Sequence, residues 1–196
     1  TIDRYDSVYQ AWRWAVPARF NIGVACCGRH ARDRHRFALY WEDESGATAA
    51  YTYWDLQQDA NRLANALVAL GVQRGDRVAI ILPQRPETAV AHIACYQMGA
   101  VAMPLSILFG PDAVEYRLLD SAAVVAVVDA ASLPSLLPVR DRLPDLKHVI
   151  GVGEARDAFV HAWDTLIGRA SRQFTPVDPS SHDPAILIYT SGTTGR

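Results

Sequence analysis

Arg77-Val78-Ala79-Ile80-Ile81-Leu82, then Pro86-Glu87 opening a stretch that runs to Gly99, then Val101-Ala102-Met103-Pro104-Leu105 decide the fold. The first and last segments are short apolar runs with no polar alternation, the pattern of strands buried on both faces. The middle segment starts with proline at the first helical position and stops at a glycine, so it reads as a helix. Strand, helix, strand with buried strands is the unit of a parallel sheet.

The same alternation continues outward. Pro111 to Ser121 reads as a helix with Val114 and Leu118 on one side, and Val124-Val125-Ala126-Val127-Val128 as a third strand. Ser132 to Leu143 is a proline-interrupted helix or loop, His148-Val149-Ile150-Gly151-Val152 a fourth strand, and Ala158–Ile167 a helix. Upstream, Leu56, Ala60, Leu63, Leu67 and Leu70 form one apolar stripe at helical spacing. Thr52 and Asp55 stand in capping-box positions before it, and Gly71 with Val72 after it closes the helix. Phe37–Trp41 and Ala50–Tyr53 flank the turn signal Glu44-Ser45-Gly46, a hairpin. The stretch up to about Arg36 reads as helical and peripheral, with Trp12, Trp14 and Phe20 as anchors onto the main body. The expected fold is α/β: a mostly parallel, doubly wound sheet with helices on both faces, plus a peripheral N-terminal helix and a hairpin.

Four segments follow from this pattern: 1–36 peripheral, 37–174 the α/β unit, 175–184 a linker, and 185–196 a strand with its loop. The linker holds three prolines, two serines and two aspartates in ten positions. Ala185–Tyr189 is the last strand expected, and at its carboxyl end the composition changes to Thr190-Ser191-Gly192-Thr193-Thr194-Gly195-Arg196. Glycines let backbone N–H groups approach an anion and hydroxyls add rotatable donors, so a loop of this composition after a strand suits phosphate. It is not a Walker A loop: Gly192 and Gly195 are too close together and Arg196 is not the required lysine. Nor does a G-x-G-x-x-G pattern occur here or after the first strand, which removes the ordinary dinucleotide reading.

Bulk properties narrow the class further. The chain has 196 residues, half of them apolar, and a formal charge of −2. No basic excess points to nucleic acid or an anionic membrane, and no apolar run approaches the length of a membrane span. The N-terminus lacks a signal-peptide core, and Cys26, Cys27 and Cys95 form neither a disulfide framework nor a zinc spacing. These features fit a cytoplasmic protein with buried or idle thiols. Ser181-His182-Asp183 is contiguous on a linker and does not make a triad geometry. His92 lies within an apolar helix and reads as packed. His30 and His35, among Arg29, Arg32, Arg34 and Arg36, read as a solvated face.

Tyr189-Thr190-Ser191-Gly192-Thr193-Thr194-Gly195 resembles the signature loop of the acyl-adenylate-forming (AMP-binding) enzymes, which continues there with proline, lysine and glycine. Tyr51–Leu56, Asn61–Ala64 with Leu70–Val78, and Gly99–Leu105 resemble segments that precede the loop in that family. Phe20-Asn21 with Leu39–Glu42 is similar to the acetyl- and medium-chain acyl-CoA synthetase branch. The resemblance implies the N-terminal part of such an enzyme's large domain, with ATP, Mg2+ and coenzyme A as cofactors or co-substrates and a carboxylic acid, short or medium in chain length, as substrate. It implies that Thr190, Ser191, Gly192, Thr193, Thr194 and Gly195 hold the β- and γ-phosphates, with the hydroxyls of Ser191, Thr193 and Thr194 in direct contact. It implies that Phe109 and Gly110 line the coenzyme A approach, although Gly110 before Pro111 is also an ordinary helix entry. Catalytic, hinge and adenine-binding residues are expected after Arg196, in a C-terminal part of the same enzyme. Two other readings stay open: an adenylation domain loading a carrier protein, and a non-enzymatic α/β binding module. The 196 residues alone are expected to be inactive. Three or four charge-assisted hydrogen bonds give roughly 1.5–3 kcal/mol each, while association costs roughly 4–15 kcal/mol, leaving about 4 kcal/mol, or millimolar affinity, at best.

Overall fold

The computed structural model describes residues 4–190. Its elements in chain order are α1 (Tyr5–Ala11), a π-helical turn (Val24–Gly28), β1 (Phe37–Glu42), β2 (Thr48–Thr52), α2 (Tyr53–Ala69), β3 (Arg77–Ile81) and α3 (Pro86–Met98). Then come β4 (Val101–Pro104), α4 (Pro111–Ser121), β5 (Val125–Val128), α5 (Leu133–Leu136) running into a 3-10 turn (Leu137–Arg142), β6 (His148–Gly151), β7 (Val160–Ala162) and α6 (Trp163–Arg169).

β3 to β7 form one parallel sheet in the order β4-β3-β5-β6-β7, and β1 and β2 form a separate antiparallel hairpin. Alternate strand residues feed two cores. Val78, Ile80, Val125, Val127 and Ile150 pack with α2, α3 and Trp163 of α6. Ala79, Ile81, Ala126, Val128 and Val149 pack with α4, α5 and the turn after it. Both faces are therefore covered, which is why the strands carry no polar alternation. The chain leaves β3 toward β4 and returns to the other side of β3 as β5. That reversal makes a switch point, and ligands of such sheets collect outside the strands' carboxyl ends.

The local signals act as their chemistry requires. Thr52 and Asp55 make a reciprocal capping box at the start of α2. Gly71 at φ +86 ends it, with its N–H bonded to Val68 O and that of Val72 to Leu67 O, the paired bonds of a Schellman end. Arg77 spreads three donors over Ser121 O (2.5 Å), Ala122 O (2.8 Å) and Gly75 O (3.0 Å), tying β3 to the carboxyl end of α4. Asn61 and Asn65 on α2 donate to the carbonyls of Arg172, Ser171 and Gln173, and Asn21 donates to that of Val177. Amides thus hold residues 171–177 along the helical face.

Three expectations are corrected. Residues 158–167 are not one helix: Val160–Ala162 pairs with β6 as an edge strand, and the helix starts only at Trp163. The pairing is non-local and only three residues long, below what periodicity resolves. Ala185–Tyr189 runs parallel to β4 at its free edge but makes a single bridge, Ala102 with Ile186. Ala102 donates to Ala185 O and Leu187 donates to Ala102 O. The next donor on β4 belongs to Pro104, which has no N–H, so the ladder stops. Third, Trp12 and Trp14 do not anchor the N-terminal stretch. They are 51 % and 80 % exposed and pack on each other edge-to-face at 4.2 Å. α1 buries nothing and Phe20 stays 47 % exposed; the segment joins the main body through backbone bonds of Ala18 and Phe20 to Ser181 and Pro179, through Asn21, and through buried Cys27.

A histidine pair joins β6 and β7 to the end of α2. His148 Nε2 lies 3.0 Å from Leu70 O, and its Nδ1 lies 3.2 Å from His161 Nε2. The carbonyl requires a proton on Nε2, and Nδ1 accepts from His161 when His148 is neutral. Burial holds the His148 pKa below its ordinary value, with the His161 and Lys147 charges adding to it. The folded state then binds fewer protons than the unfolded chain. This contribution to stability is complete above about pH 6.5, the unfolded value, and is lost as the pH falls below it. The urea midpoint is expected to drop between pH 7.5 and 5, and to drop less in His148→Gln.

Candidate functional site

Tyr189 and Thr190 stand at the carboxyl end of the segment beside β4, on the side of the sheet where the strand ends gather. Leu187 and Tyr189 face the second core, while Ile186 and Ile188 are exposed. Thr190 is exposed. Ser191, Gly192, Thr193, Thr194 and Gly195 lie outside the described residues, so their contacts are not part of the geometry.

Tyr189 is held at both ends. Its hydroxyl donates to Asp120 Oδ2 at 2.6 Å and lies 3.3 Å from the carbonyl oxygen of Arg117. Burial, reinforced by the Asp120 carboxylate that accepts this bond, pushes its pKa up to about 12, so the phenol stays protonated and keeps donating. The Arg117 guanidinium lies over the Tyr189 ring at 5.5 Å and over the Phe109 ring at 4.0 Å. Phe109 therefore meets Tyr189 through one cation. Gly110 next to it is the N-cap of α4, with Pro111 in the first turn, so its helix-entry role is present. Nothing lies within 4 Å of where its Cβ would be, which leaves an open approach at that corner.

A second hollow, about 920 Å³, opens at the carboxyl ends of β3 and β4 under the hairpin, bordered by Trp41, Leu82, Thr88, His92, Leu105 and Ser106. Trp41 Nε1 donates to Gln84 O at 3.0 Å and so fixes the hairpin over the sheet. His92 is half-buried with Nδ1 3.0 Å from Tyr96 Oη, and burial lowers its pKa. It is packed, as its helical setting requires, and one ring edge borders this hollow. Sequence patterning gave no sign of the hollow, because it is built from three segments distant in the chain. Nearby, Arg85 makes a two-point ion pair with Glu87 (2.7 and 2.9 Å) at the switch point.

The other residues with chemical side chains fall elsewhere. Asp183 accepts from Arg74 and from the Ser180 N–H, and His182 is exposed, so residues 181–183 form a turn and no triad. Arg34 lies on the Trp54 ring at 4.4 Å and Arg36 on the Tyr53 ring at 5.8 Å, so the basic run is solvent-facing with its flat faces on aromatics. Cys26 is exposed, whereas burial pushes the Cys27 and Cys95 thiols up to about 12. Among the described residues no group of three metal-ligating side chains occurs, and no helix is long and apolar enough to cross a membrane.

Residues 28–196 match the family model described as AMP-binding enzyme. The chain belongs to this family. Similar proteins include the acetyl-coenzyme A synthetase of Cronobacter sakazakii, 32 % identical over 94 % of this chain and 31 % of that protein. That of Streptomyces coelicolor is 34 % identical over the same shares. The chain thus spans about a third of the length of the curated relatives it matches. Among solved structures, an anthranilate CoA ligase in complex with anthranoyl-AMP superposes with a TM-score of 0.84 at 26 % identity, covering 92 % of this chain and 34 % of that one. The acyl-CoA synthetase of Brucella canis gives the same TM-score and identity over 98 % and 37 %. These neighbours share the parallel sheet flanked by helices.

Proposed function

We propose that this chain is the N-terminal portion of an AMP-forming acyl-CoA synthetase. The observation that carries the reading is a hydroxyl- and glycine-rich loop leaving Tyr189 at the strands' carboxyl ends, in a chain of the AMP-binding family. Mg·ATP enters as substrate. A carboxylate oxygen attacks the α-phosphorus, the bond to the β-phosphate oxygen breaks, and pyrophosphate leaves. Thr190, Ser191, Gly192, Thr193, Thr194 and Gly195 hold the β- and γ-phosphates and stabilise the charge that builds on the departing group. No general base is required for this step, because the nucleophile is already an anion. Coenzyme A then approaches past Phe109 and Gly110, its sulfur attacks the acyl carbon, and AMP leaves with one carboxylate oxygen. The neighbour solved with anthranoyl-AMP, an acyl-adenylate, supports this order of events.

The substrate class is a short- or medium-chain carboxylic acid, in line with the acetyl-coenzyme A synthetases among the relatives. Residues 1–196 alone are inactive in this reading, because their loop donors give millimolar ATP affinity at best. Pyrophosphate release by the complete protein, screened over carboxylic acids with and without coenzyme A, is the test. Release with a short or medium acid, followed by a coenzyme A thioester, is expected. Release without any thioester, with transfer to a carrier domain, would replace the synthetase by a carrier-loading enzyme. No release with any acid would leave a binding module.

A further inference from the structure

We propose that Arg117 is a positioning residue that clamps the root of the phosphate loop to the coenzyme A corner, an inference that rests on the function proposed above. Arg117 projects from α4, with its guanidinium carbon 4.0 Å from the centre of the Phe109 ring and 5.5 Å from that of Tyr189. Nη1 donates to Ala113 O one turn back at 2.9 Å, which fixes the side chain along its own helix. Its Nε is buried with no hydrogen-bond partner among the described residues. An arginine plane stacks on such faces where a lysine does not.

The second grip comes from the same helix. Asp120, three residues after Arg117, accepts from the Tyr189 hydroxyl at 2.6 Å. Tyr189 is therefore held by its ring and by its oxygen, and the next residue is Thr190, the first donor of the loop. Phe109, in contact with the same cation, precedes Gly110. Two segments eighty residues apart in sequence thus share one rigid reference, α4. In-line displacement and thiol attack depend on the relative placement of these two segments, and displacements of about 1 Å are costly there.

The test uses the complete protein. In Arg117→Met, which keeps the length and removes the charge, KM for ATP and KM for coenzyme A are expected to rise together by about tenfold with kcat changing less. Arg117→Lys restores part of both. Tyr189→Phe keeps the stack but loses the Asp120 anchor and raises KM for ATP alone. Phe109→Leu raises KM for coenzyme A alone. Glu115→Gln, on the same helix at its ion pair with Arg142, leaves all of them unchanged. Amide exchange at residues 190–195 is expected to quicken in Arg117→Met. Wild-type KM values, a uniform fall in kcat at constant KM, or unchanged exchange would overturn the clamp. If the wild type releases no pyrophosphate with any acid, the proposed function fails, and the exchange measurement still decides whether Arg117 holds the loop root. Should Arg117→Met not fold, Arg117→Lys and Tyr189→Phe carry the same exchange measurement.

Discussion

Alanine at both Thr193 and Thr194 in the complete protein is expected to lower carboxylate-dependent pyrophosphate release on the order of 100-fold or more. The reason is where the charge goes. As the bond between the α- and β-phosphates breaks, negative charge accumulates on the departing pyrophosphate, and donors aimed at it act on the transition state more than on bound ATP. Removing one preorganised donor of this kind costs about 10²–10³ in rate in other enzymes. The loop follows Tyr189, whose ring and hydroxyl are fixed by α4, so the donors start from a rigid root. The double variant keeps that root, and its unfolding midpoint is expected to match the wild type. Near-normal pyrophosphate release by the double variant would remove the loop from the ATP site.

Gly151→Ala is expected to destabilise the chain by about 3 kcal/mol, a large cost for one methyl group. The new Cβ would fall on the carbonyl oxygen of Ala155 and on Val160 Cγ1. Neither neighbour yields easily. Ala155 closes a turn onto Val152, and Val160 begins the strand paired with β6. The same substitution at Gly168 has the opposite sign. Gly168 is exposed in the last turn of α6, nothing lies within 4 Å of its Cβ position, and alanine there is expected to stabilise by about 0.5 kcal/mol. Urea midpoints of the two variants check the pair together; equal effects would show that the Gly151 contact is relieved by relaxation.

The contrast between those two glycines also describes what patterning along the chain discloses. The strand at Arg77–Ile81 and the helix at Tyr53–Ala69 were legible because their signals are local: an unbroken apolar run, a capping box, a Schellman glycine. β7 was misread because its three residues become a strand only by pairing with β6. The strand expected at Ala185–Tyr189 shrank to one bridge because its partner, Pro104, lacks a donor, a fact about another segment. Trp12 and Trp14 carry the right chemistry for anchoring, yet they found each other instead of the core. In the candidate site, the loop composition and the Phe109-Gly110 corner were visible as residues. The cation joining them was not: Arg117 is an ordinary helical arginine until folding brings Phe109 and Tyr189 to its guanidinium.

In the proposed function the carboxylate attacks the α-phosphorus of ATP and the acyl group then leaves AMP for a thiol. A carboxylic acid labelled with 18O in its carboxyl group, turned over by the complete protein with ATP and coenzyme A, tests it directly by mass spectrometry of the products. One 18O atom is expected in AMP, none in pyrophosphate and the remainder in the thioester. Label in orthophosphate with ADP as the nucleotide product, or AMP that carries no label, would contradict it.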